Sequence, residues 1–292
     1  MNRLIILIVA LFLLTTENTK AQDLSYGFRV GLNVSSFLGG DKDVDLNGKE
    51  AETISTNTGF HVGGGVRVEF TDLFGIRAEL LFTQKGTKRT FDGAAPFIFK
   101  DKNGNKILTT GNKAISLNIS NAYIDIPVLA YGKIGKKLEL FGGVYAGFLV
   151  GSVASGELVY TNGMLAGSNN PIDKLDLTLD YNYSKDQPGE IADAVENIEI
   201  MVGTETVEVP NTLTAYYDLE TKSGKAFKIF DAGLAGGAAF FINNGLYVSA
   251  IANYGLVDVS NNDLDFSNAI LDKTRNDRDT NLSFQFSIGF SF

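Results

Sequence analysis

Charged side chains recur at every second position of several short segments, and these residues have the types that could do chemistry. The cationic members are Arg29, Arg67, Arg77 and Lys85, and the anionic members are Glu69, Glu79, Asp125, Glu139 and Asp231. Carboxylates near one another can act as general acid and base. Arginines interleaved with carboxylates are more typical of a structural network of ion pairs. We therefore expect these residues to pair inside the fold, and the alternative is that they line a narrow polar conduit.

The single histidine, His61, shares a strand face with Arg67 and Glu69. One histidine beside a carboxylate could serve as a general base, but the sequence pattern offers no set of nucleophile, base and orienting group around it. A zinc site usually takes three or four His, Cys or carboxylate ligands, and the chain contains one His and no Cys. The sequence therefore predicts no catalytic residue, no metal site and no cofactor.

The segments that carry these charges alternate apolar and polar residues with a period of two. In the last segment, 281–292, one face is entirely apolar and ends on Phe292, while the other holds only Asn, Ser, Gln and Gly. Successive side chains of a strand point to opposite faces, so this pattern suits a strand between lipid and a tight polar interior. The same alternation predicts seven earlier strands, at 24–37, 59–70, 74–86, 122–132, 138–152, 228–241 and 246–257.

The predicted connections alternate between short and long. Short connections lie at 71–73, 133–137 and 242–245, and long ones at about 38–58, 87–121, 153–227 and 258–280. Outer-membrane barrels have short periplasmic turns, longer extracellular loops and an even number of strands. The sequence therefore predicts an all-β fold, an eight-stranded antiparallel up-and-down transmembrane β-barrel. Residues 22–292 would form this single domain, with a long extracellular insertion at about 153–227.

A ten-stranded barrel is the alternative, with two segments of the insertion crossing the membrane. Four aspartates, Asp173, Asp176, Asp180 and Asp186, make this alternative less favourable, because a charged lipid-facing surface is destabilising. Apolar residues occupy odd positions in 115–120 and even positions in 124–128. This change predicts a β-bulge near 120–122.

Residues 1–21 have the features of a secretory signal peptide. Arg3 precedes an apolar run at 4–14, and Ala21 provides a small residue before the expected cleavage point. Removing this segment leaves 23 basic and 33 acidic residues, a net charge of −10. That charge argues against a nucleic-acid partner. The absence of cysteine means that the exported chain has no disulfide bond.

The segments YGFRVGLNVSSF, GFHVGGGVRVEF, AELLFTQKG, YIDIPVLAYGKIG and FGGVYAGFLVG, with the Phe-ended last strand, resemble the PorT-like outer-membrane β-barrel family. The resemblance covers most of the chain after residue 21 and weakens in 153–227. It implies a multi-pass protein of the cell outer membrane. Some members of the family serve protein secretion, and no site residue carries over from it.

The sequence indicates the architecture of the protein more specifically than its function. We expect a structural or interaction protein of the cell envelope, with a side-chain-filled lumen and acidic extracellular loops. A barrel associated with transport or secretion is the alternative. Expected partners are outer-membrane lipid, an envelope or extracellular protein, and the barrel-insertion machinery, for which Phe290 and Phe292 would form the assembly signal. A soluble ligand barrel of the lipocalin type is disfavoured, because it would carry its apolar residues inside.

Overall fold

The computed structural model describes residues 23–101, 104–191, 196–271 and 273–292. The predicted signal peptide at 1–21 lies outside these residues. The regular structure of the described chain is β-strand, apart from one 3₁₀ turn at Asn262–Leu264. No helix within the described residues is long and apolar enough to cross a membrane.

Thirteen strands are formed by the described residues. Eight of them are long and form the barrel: β1 Asp23–Leu38, β2 Glu52–Thr71, β3 Phe74–Lys100, β4 Lys106–Ile134, β5 Leu138–Leu165, β11 Phe230–Phe241, β12 Leu246–Gly255 and β13 Thr280–Ser291. The other five lie between β5 and β11: β6 Pro171–Ile172, β7 Leu175–Asn182, β8 Asn197–Val202, β9 Glu205–Pro210 and β10 Thr212–Leu213. The eight-stranded prediction is confirmed.

The barrel closes through two pairings that join strands distant in sequence. β13 pairs antiparallel with β1 from Ser291 opposite Gly27 to Thr280 opposite Leu38. β11 pairs antiparallel with β5 over Phe230 to Phe240. All other neighbours in the ring are consecutive barrel strands, which makes it an up-and-down barrel. Closure leaves the ring without an open edge, as a strand structure in lipid requires.

An apolar belt surrounds the part of the barrel nearest the three short turns, which we call the lower part. Large outward side chains are exposed on every strand of the ring, among them Leu32, Val62, Leu80, Val128, Val144, Leu234, Val248 and Phe286. Aromatic pairs border the belt at both edges: Phe60–Phe82 and Phe148–Phe230 at the top, Phe70–Phe74 and Phe28–Phe290 at the bottom. An apolar band between aromatic girdles is the outer surface of a transmembrane barrel.

Three strands, β3, β4 and β5, continue far above this belt, which corrects the predicted lengths. β3 and β4 stay paired up to Lys100 opposite Lys106, so the expected loop at 87–121 is the upper part of a hairpin. Likewise, β5 continues to Leu165, and the first residues of the expected insertion at 153–227 belong to it. From Phe82 to Lys100 the hairpin extends by roughly 60 Å of strand, at about 3.3 Å per residue.

The upper wall reverses the polarity of the lower wall. Its outward side chains are polar, among them Asn118, Glu157, Asp176, Thr178 and Asp180. Its inward side chains form an apolar core that includes Phe97, Phe99, Leu117, Ile119, Leu158, Tyr160, Leu175, Leu177 and Leu179. The outer solvent changes from lipid to water above the belt, so the hydrophobic effect favours apolar residues inside instead of outside. A pattern of apolar outward and polar inward residues therefore could not identify the upper parts of β3, β4 and β5 as barrel strands.

The polarity reversal also explains the change of apolar parity in β4. Odd-numbered residues face inward along the whole segment, including Ile119 above the change and Asp125 below it. The parity change predicts a β-bulge near 120–122. A register shift does lie at Ala122/Tyr123, but the extra residue is in the partner strand: Ala122 pairs with Gly151 and Tyr123 with Leu149, so Val150 bulges.

The bulge coincides with a change of partner for β5. Below it, β5 pairs with β11, and above it β5 pairs with β7 from Val153 opposite Asn182 to Tyr160 opposite Leu175. Strand β10 adds to β7. Strand β6 pairs with the end of β5, and β8 and β9 continue the same sheet from β6. The insertion thus lengthens the wall above the membrane and does not supply two further membrane strands.

We expect the outward face to tolerate charge only above the apolar belt. Phe286 is 55% exposed near the middle of the belt, and Phe286→Arg should lower the free energy of unfolding in lipid vesicles by about 2–4 kcal/mol. Ser155→Arg places the same side chain outward on β5 opposite Asp180, and should change that free energy by less than about 0.5 kcal/mol. Equal losses in urea titrations of the two variants would contradict the position of the belt.

Candidate functional site

The inward face of the lower barrel brings together charged residues from six strands. Arg29 comes from β1, Arg67 from β2, Arg77, Glu79 and Lys85 from β3, Asp125 from β4, Glu139 from β5 and Asp231 from β11. Inward alternation fixes the direction of each side chain, and the pairing registers set their heights. We call these eight residues the lumen network.

The lower half of the lumen network is a chain of arginines and glutamates. Glu139 accepts from Arg67 and lies 3.4 Å from Arg77 Nη1. Arg77 lies 3.6 Å from Glu79, whose other oxygen accepts from Arg29 Nε at 2.9 Å. Each glutamate therefore joins two arginines, and the chain crosses the lumen from β5 to β1.

Aromatic rings cover the guanidinium groups of this half. The Arg77 guanidinium lies 3.8 Å from the centroid of Phe141, and that of Arg67 lies 4.4 Å from the centroid of Tyr131. A cation over a ring face is attracted by the ring quadrupole, more strongly when water is excluded. The rings thus fill the space beside the charges and stabilise them.

The upper half of the lumen network is centred on Lys85. Its Nζ lies 2.9 Å from Asp125 Oδ2 and 3.0 Å from Asp231 Oδ2. Asp231 also accepts from Asn281 at 3.0 Å and from the Tyr145 hydroxyl at 3.3 Å. Lys85 is fully buried, so these two carboxylates replace its hydration shell.

Among the described residues, the lumen network contains four cations and four carboxylates. The lower half has one cation in excess and the upper half one carboxylate in excess. Glu69, which was predicted to join the network, lies apart at the short-turn mouth. It pairs there with Lys133 at 2.7 Å, and the two side chains are 27% and 28% exposed.

His61 joins the network through hydrogen bonds that the sequence pattern did not predict. Its Nε2 lies 2.7 Å from Ser287 Oγ, and its Nδ1 lies 2.6 Å from Asn33 Oδ1. A hydroxyl, an imidazole and an orienting group at these distances also occur in hydrolytic triads. Here Arg29 Nη1 donates to Ser287 at 3.0 Å and lies 3.1 Å from His61, so the hydroxyl oxygen is already bound. These hydrogen bonds position Arg29. Ser287, His61 and Asn33, which we call the His61 set, are all buried.

Little space remains around the lumen network. A vestibule of about 580 Å³ at the short-turn mouth is lined by Glu69 and Lys133 and ends at Arg67. Beyond it, two voids of about 20 Å³ and 10 Å³ adjoin Arg29. A cavity needs on the order of 10–15 Å³ to hold one water molecule. A substrate therefore has no room beside the His61 set.

A second charged cluster lies above the membrane belt and holds the group of carboxylates best placed for a metal. Oxygen atoms of Asp265, Asp277 and Asp279 lie within 4.8 Å of one another. Arg275 donates to Asp277 at 2.6 Å and Arg89 to Asp265 at 3.4 Å. These guanidinium groups already neutralise two of the carboxylates, and the cluster is a charge network that ties segment 265–279 to β3.

Burial opposes ionisation in this upper cluster to different degrees. Burial alone would raise the pKa of Glu52, but the charges of Arg89 and Arg275 outweigh it and hold the pKa below its ordinary value. Burial raises the pKa of Asp279 to about 6, and the neighbouring Asp265 and Asp277 reinforce the rise against the attraction of Arg89. Asp279 is therefore the member of the cluster that is most costly to ionise in the described region.

A closed ring of eight strands with an apolar outer belt and a polar interior defines a transmembrane β-barrel of the outer-membrane type. The sequence profile of the family described as "Outer membrane protein beta-barrel domain" matches residues 19–261, and this chain belongs to that family. The predicted location in the outer membrane, with several membrane-crossing strands, is confirmed. No curated protein is similar to the chain in sequence.

Solved structures of outer-membrane proteins align over most of the chain. OprG from Pseudomonas aeruginosa is 9% identical, with a TM-score of 0.34, over 93% of this chain and 97% of that one. Ail, the attachment invasion locus protein of Yersinia pestis, is 10% identical, with a TM-score of 0.33, over 92% and 98%. The outer membrane protease OmpT from Escherichia coli is 9% identical, with a TM-score of 0.32, over 95% and 99%.

Removing the cation of the upper half should destabilise the barrel strongly. Lys85→Met leaves Asp125 and Asp231 buried without a cation, and we expect the free energy of unfolding to fall by roughly 3–5 kcal/mol. Adding Asp125→Asn and Asp231→Asn to the same chain should restore most of the loss. Lys133→Met breaks only the partly exposed pair with Glu69 and should cost less than about 1 kcal/mol. Similar losses from the two lysine variants would contradict the difference in burial.

Asp279 should make stability depend on pH between its ordinary pKa of 3.8 and its folded-state pKa of about 6. The folded state binds the proton more tightly, so this contribution is fully present below pH 3.8 and is lost as the pH rises through about 6. Asp279→Asn should therefore be more stable than the wild type at pH 7.5, by at most about 3 kcal/mol, and equal to it at pH 3.5. A constant difference across this range in paired unfolding titrations would contradict the assignment.

Proposed function

We propose that this protein is a non-conducting barrel of the PorT-like branch that anchors a binding module on the outer surface of the cell. The observation that carries the proposal is the closure of the lumen by ion pairs that balance four cations against four carboxylates among the described residues. The interior of an eight-stranded barrel is just wide enough for side chains to fill. Because paired charges and aromatic rings of the described residues occupy that space, we expect no continuous water column from the vestibule to the upper core.

The upper wall supports the binding part of the proposal. An anchor alone needs strands of about 9–11 residues to cross the membrane, whereas β3, β4 and β5 have 27, 29 and 28 residues. The additional length encloses a separate apolar core and supports the described parts of segments 166–229 and 256–279. Such an extension serves contact with molecules outside the membrane, and an envelope or extracellular protein is the partner class that we propose.

We also propose that Phe290 and Phe292, at the end of β13, serve assembly of the barrel. Phe290 and Phe292 point outward at the lower girdle, and Phe292 is 70% exposed. The Phe292 amide donates to Tyr26 O at 2.8 Å, and the Tyr26 amide donates to Phe292 O at 2.9 Å. A terminal strand that carries exposed aromatics and closes the ring suits recognition by the insertion machinery before closure, and this supports the role of these two residues as the assembly signal.

Planar-bilayer recordings test the closed lumen directly. The purified wild-type protein should show no stable single-channel steps, because the lumen network fills the barrel. A variant with Arg29→Ser, Glu79→Ser, Arg67→Ser and Glu139→Ser removes two cations and two carboxylates, so the network keeps its net charge while it loses volume. We expect this variant to conduct.

A second variant controls for changes at the mouth. Glu69→Ser with Lys133→Ser removes the partly exposed pair below the lumen network and should remain closed like the wild type. Large and stable conductance from the wild-type protein would refute the anchor and favour the alternative, a barrel associated with transport or secretion.

A further inference from the structure

A cavity of about 280 Å³ lies inside the upper wall, above the apolar belt. We call it the upper cavity. Its walls come from β3, β4, β7 and the segments 213–219 and 264–271, and they include Phe97, Lys113, Tyr181, Tyr183, Tyr217 and Asp218. Ligand pockets in proteins measure about 300–1,000 Å³ and are mostly apolar and aromatic with a few polar groups. The upper cavity is slightly smaller than this range and its lining is more mixed, with charged and polar side chains beside the aromatic rings. It therefore suits a small molecule that has both an apolar body and a charged group.

Lys113 is the unusual residue of the upper cavity. It belongs to the inward row of β4, is 9% exposed, and lies near the apolar residues Ile115 and Leu117. Its Nζ lies 5.7 Å from the ring centroid of Phe97. Within the described chain, Lys113 forms no ion pair and no hydrogen bond through its ammonium group.

The other buried cations of the protein provide the comparison. Lys85 has two carboxylates within 3.0 Å, and Arg89, in the same cavity wall as Lys113, pairs with Glu52 and Asp265. Burial lowers the pKa of Lys113, and the more distant Asp218 and Asp43 oppose this only in part. The Lys113 ammonium group is not among the polar atoms that are sealed from solvent without a partner, so it is reachable from the cavity that it lines. An arriving anion would supply an ion pair that the described residues do not supply.

We propose that the upper cavity binds a small organic monocarboxylate, with its carboxylate on Lys113 and its apolar or aromatic body against Phe97 and the tyrosine rings. Tyr181 and Tyr183 are packed edge to face at 5.8 Å and form part of that wall. The charge of the ligand follows from Asp218, which lines the same cavity. A second negative charge on the ligand would meet this carboxylate, so one anionic group fits and a doubly charged phosphate does not.

The inference rests on the proposed function in one respect, because it gives the binding module its ligand class. It does not depend on closure of the lumen. A binding measurement and a conductance measurement are separate, so failure of one proposal is distinguishable from failure of the other.

The test uses the full chain in lipid nanodiscs and isothermal titration calorimetry. The probes are benzoate, phenylacetate and hexanoate, with 2-phenylethanol and 2-phenylethylamine as neutral and cationic counterparts of phenylacetate. We expect at least one carboxylate to bind and the alcohol and amine to bind at least tenfold more weakly than phenylacetate. Binding of none of the three carboxylates, or tighter binding of the amine, would overturn the proposal.

Two variants assign the binding to Lys113. Lys113→Met should weaken carboxylate binding at least tenfold. Lys106→Met should leave it unchanged, because Lys106 lies on the same strand but pairs with Glu220 outside the cavity. Unchanged binding by a correctly inserted Lys113→Met protein would overturn the proposal.

Thermal unfolding gives a second readout that a purely structural lysine would not produce. Without ligand, Lys113→Met should unfold at a higher temperature than the wild type, because the unpaired ammonium group is gone. Phenylacetate should raise the midpoint of the wild type and leave that of the variant unchanged. A lower midpoint for the ligand-free variant would show that Lys113 stabilises the fold and would overturn its role as a binding residue.

Discussion

Backbone hydrogen bonding in lipid is the constraint on which this structure depends. The bilayer core offers no donor or acceptor, so every amide and carbonyl of a spanning strand must find its partner in a neighbouring strand. The pairings of β13 with β1 and of β5 with β11 meet that requirement, because they turn an open sheet into a ring. Because the surrounding solvent is lipid, the outward side chains form an apolar belt and the polar side chains point into the interior.

Closure of the ring also places polar and charged side chains in a narrow interior. The lumen is too narrow for bulk water, so charges inside it lose their hydration and must pair. Glu139 and Glu79 each join two arginines, while Lys85 joins two aspartates. The interior is therefore held by a network in which each charge depends on its neighbours across the barrel.

Above the belt the same wall meets water, and its polarity reverses. β4 passes from one environment to the other without turning its side chains: Asp125 and Ile119 both point inward. β5 does turn its side chains, and the bulge at Val150 allows this where β7 replaces β11 as the partner. The pairing of β2 with β3 also shifts register between Thr56 and His61. The reversal gives one chain two interiors, a charged one within the membrane and an apolar one above it that contains the upper cavity.

The sequence by itself determined the membrane part of the protein. Alternation of the kind seen in 281–292 depends only on local side-chain period and on the lipid outside, so eight strands and their facing were predictable. The inward positions of Arg29, Arg67, Arg77, Glu79, Lys85, Asp125, Glu139 and Asp231 follow from the same period.

Only the tertiary structure decided which charges meet, because pairing depends on register and strand tilt around a closed ring. It placed Glu69 at the mouth and His61 between Asn33 and Ser287. It also decided the upper wall, because the period-two alternation at 115–120 and 175–183 indicates an extended segment but does not show that its apolar face points into a core above the membrane. Within the described residues Lys113 has no ion-pair partner, and this too could not be predicted, because it depends on the folded cavity and not on the strand that carries the residue.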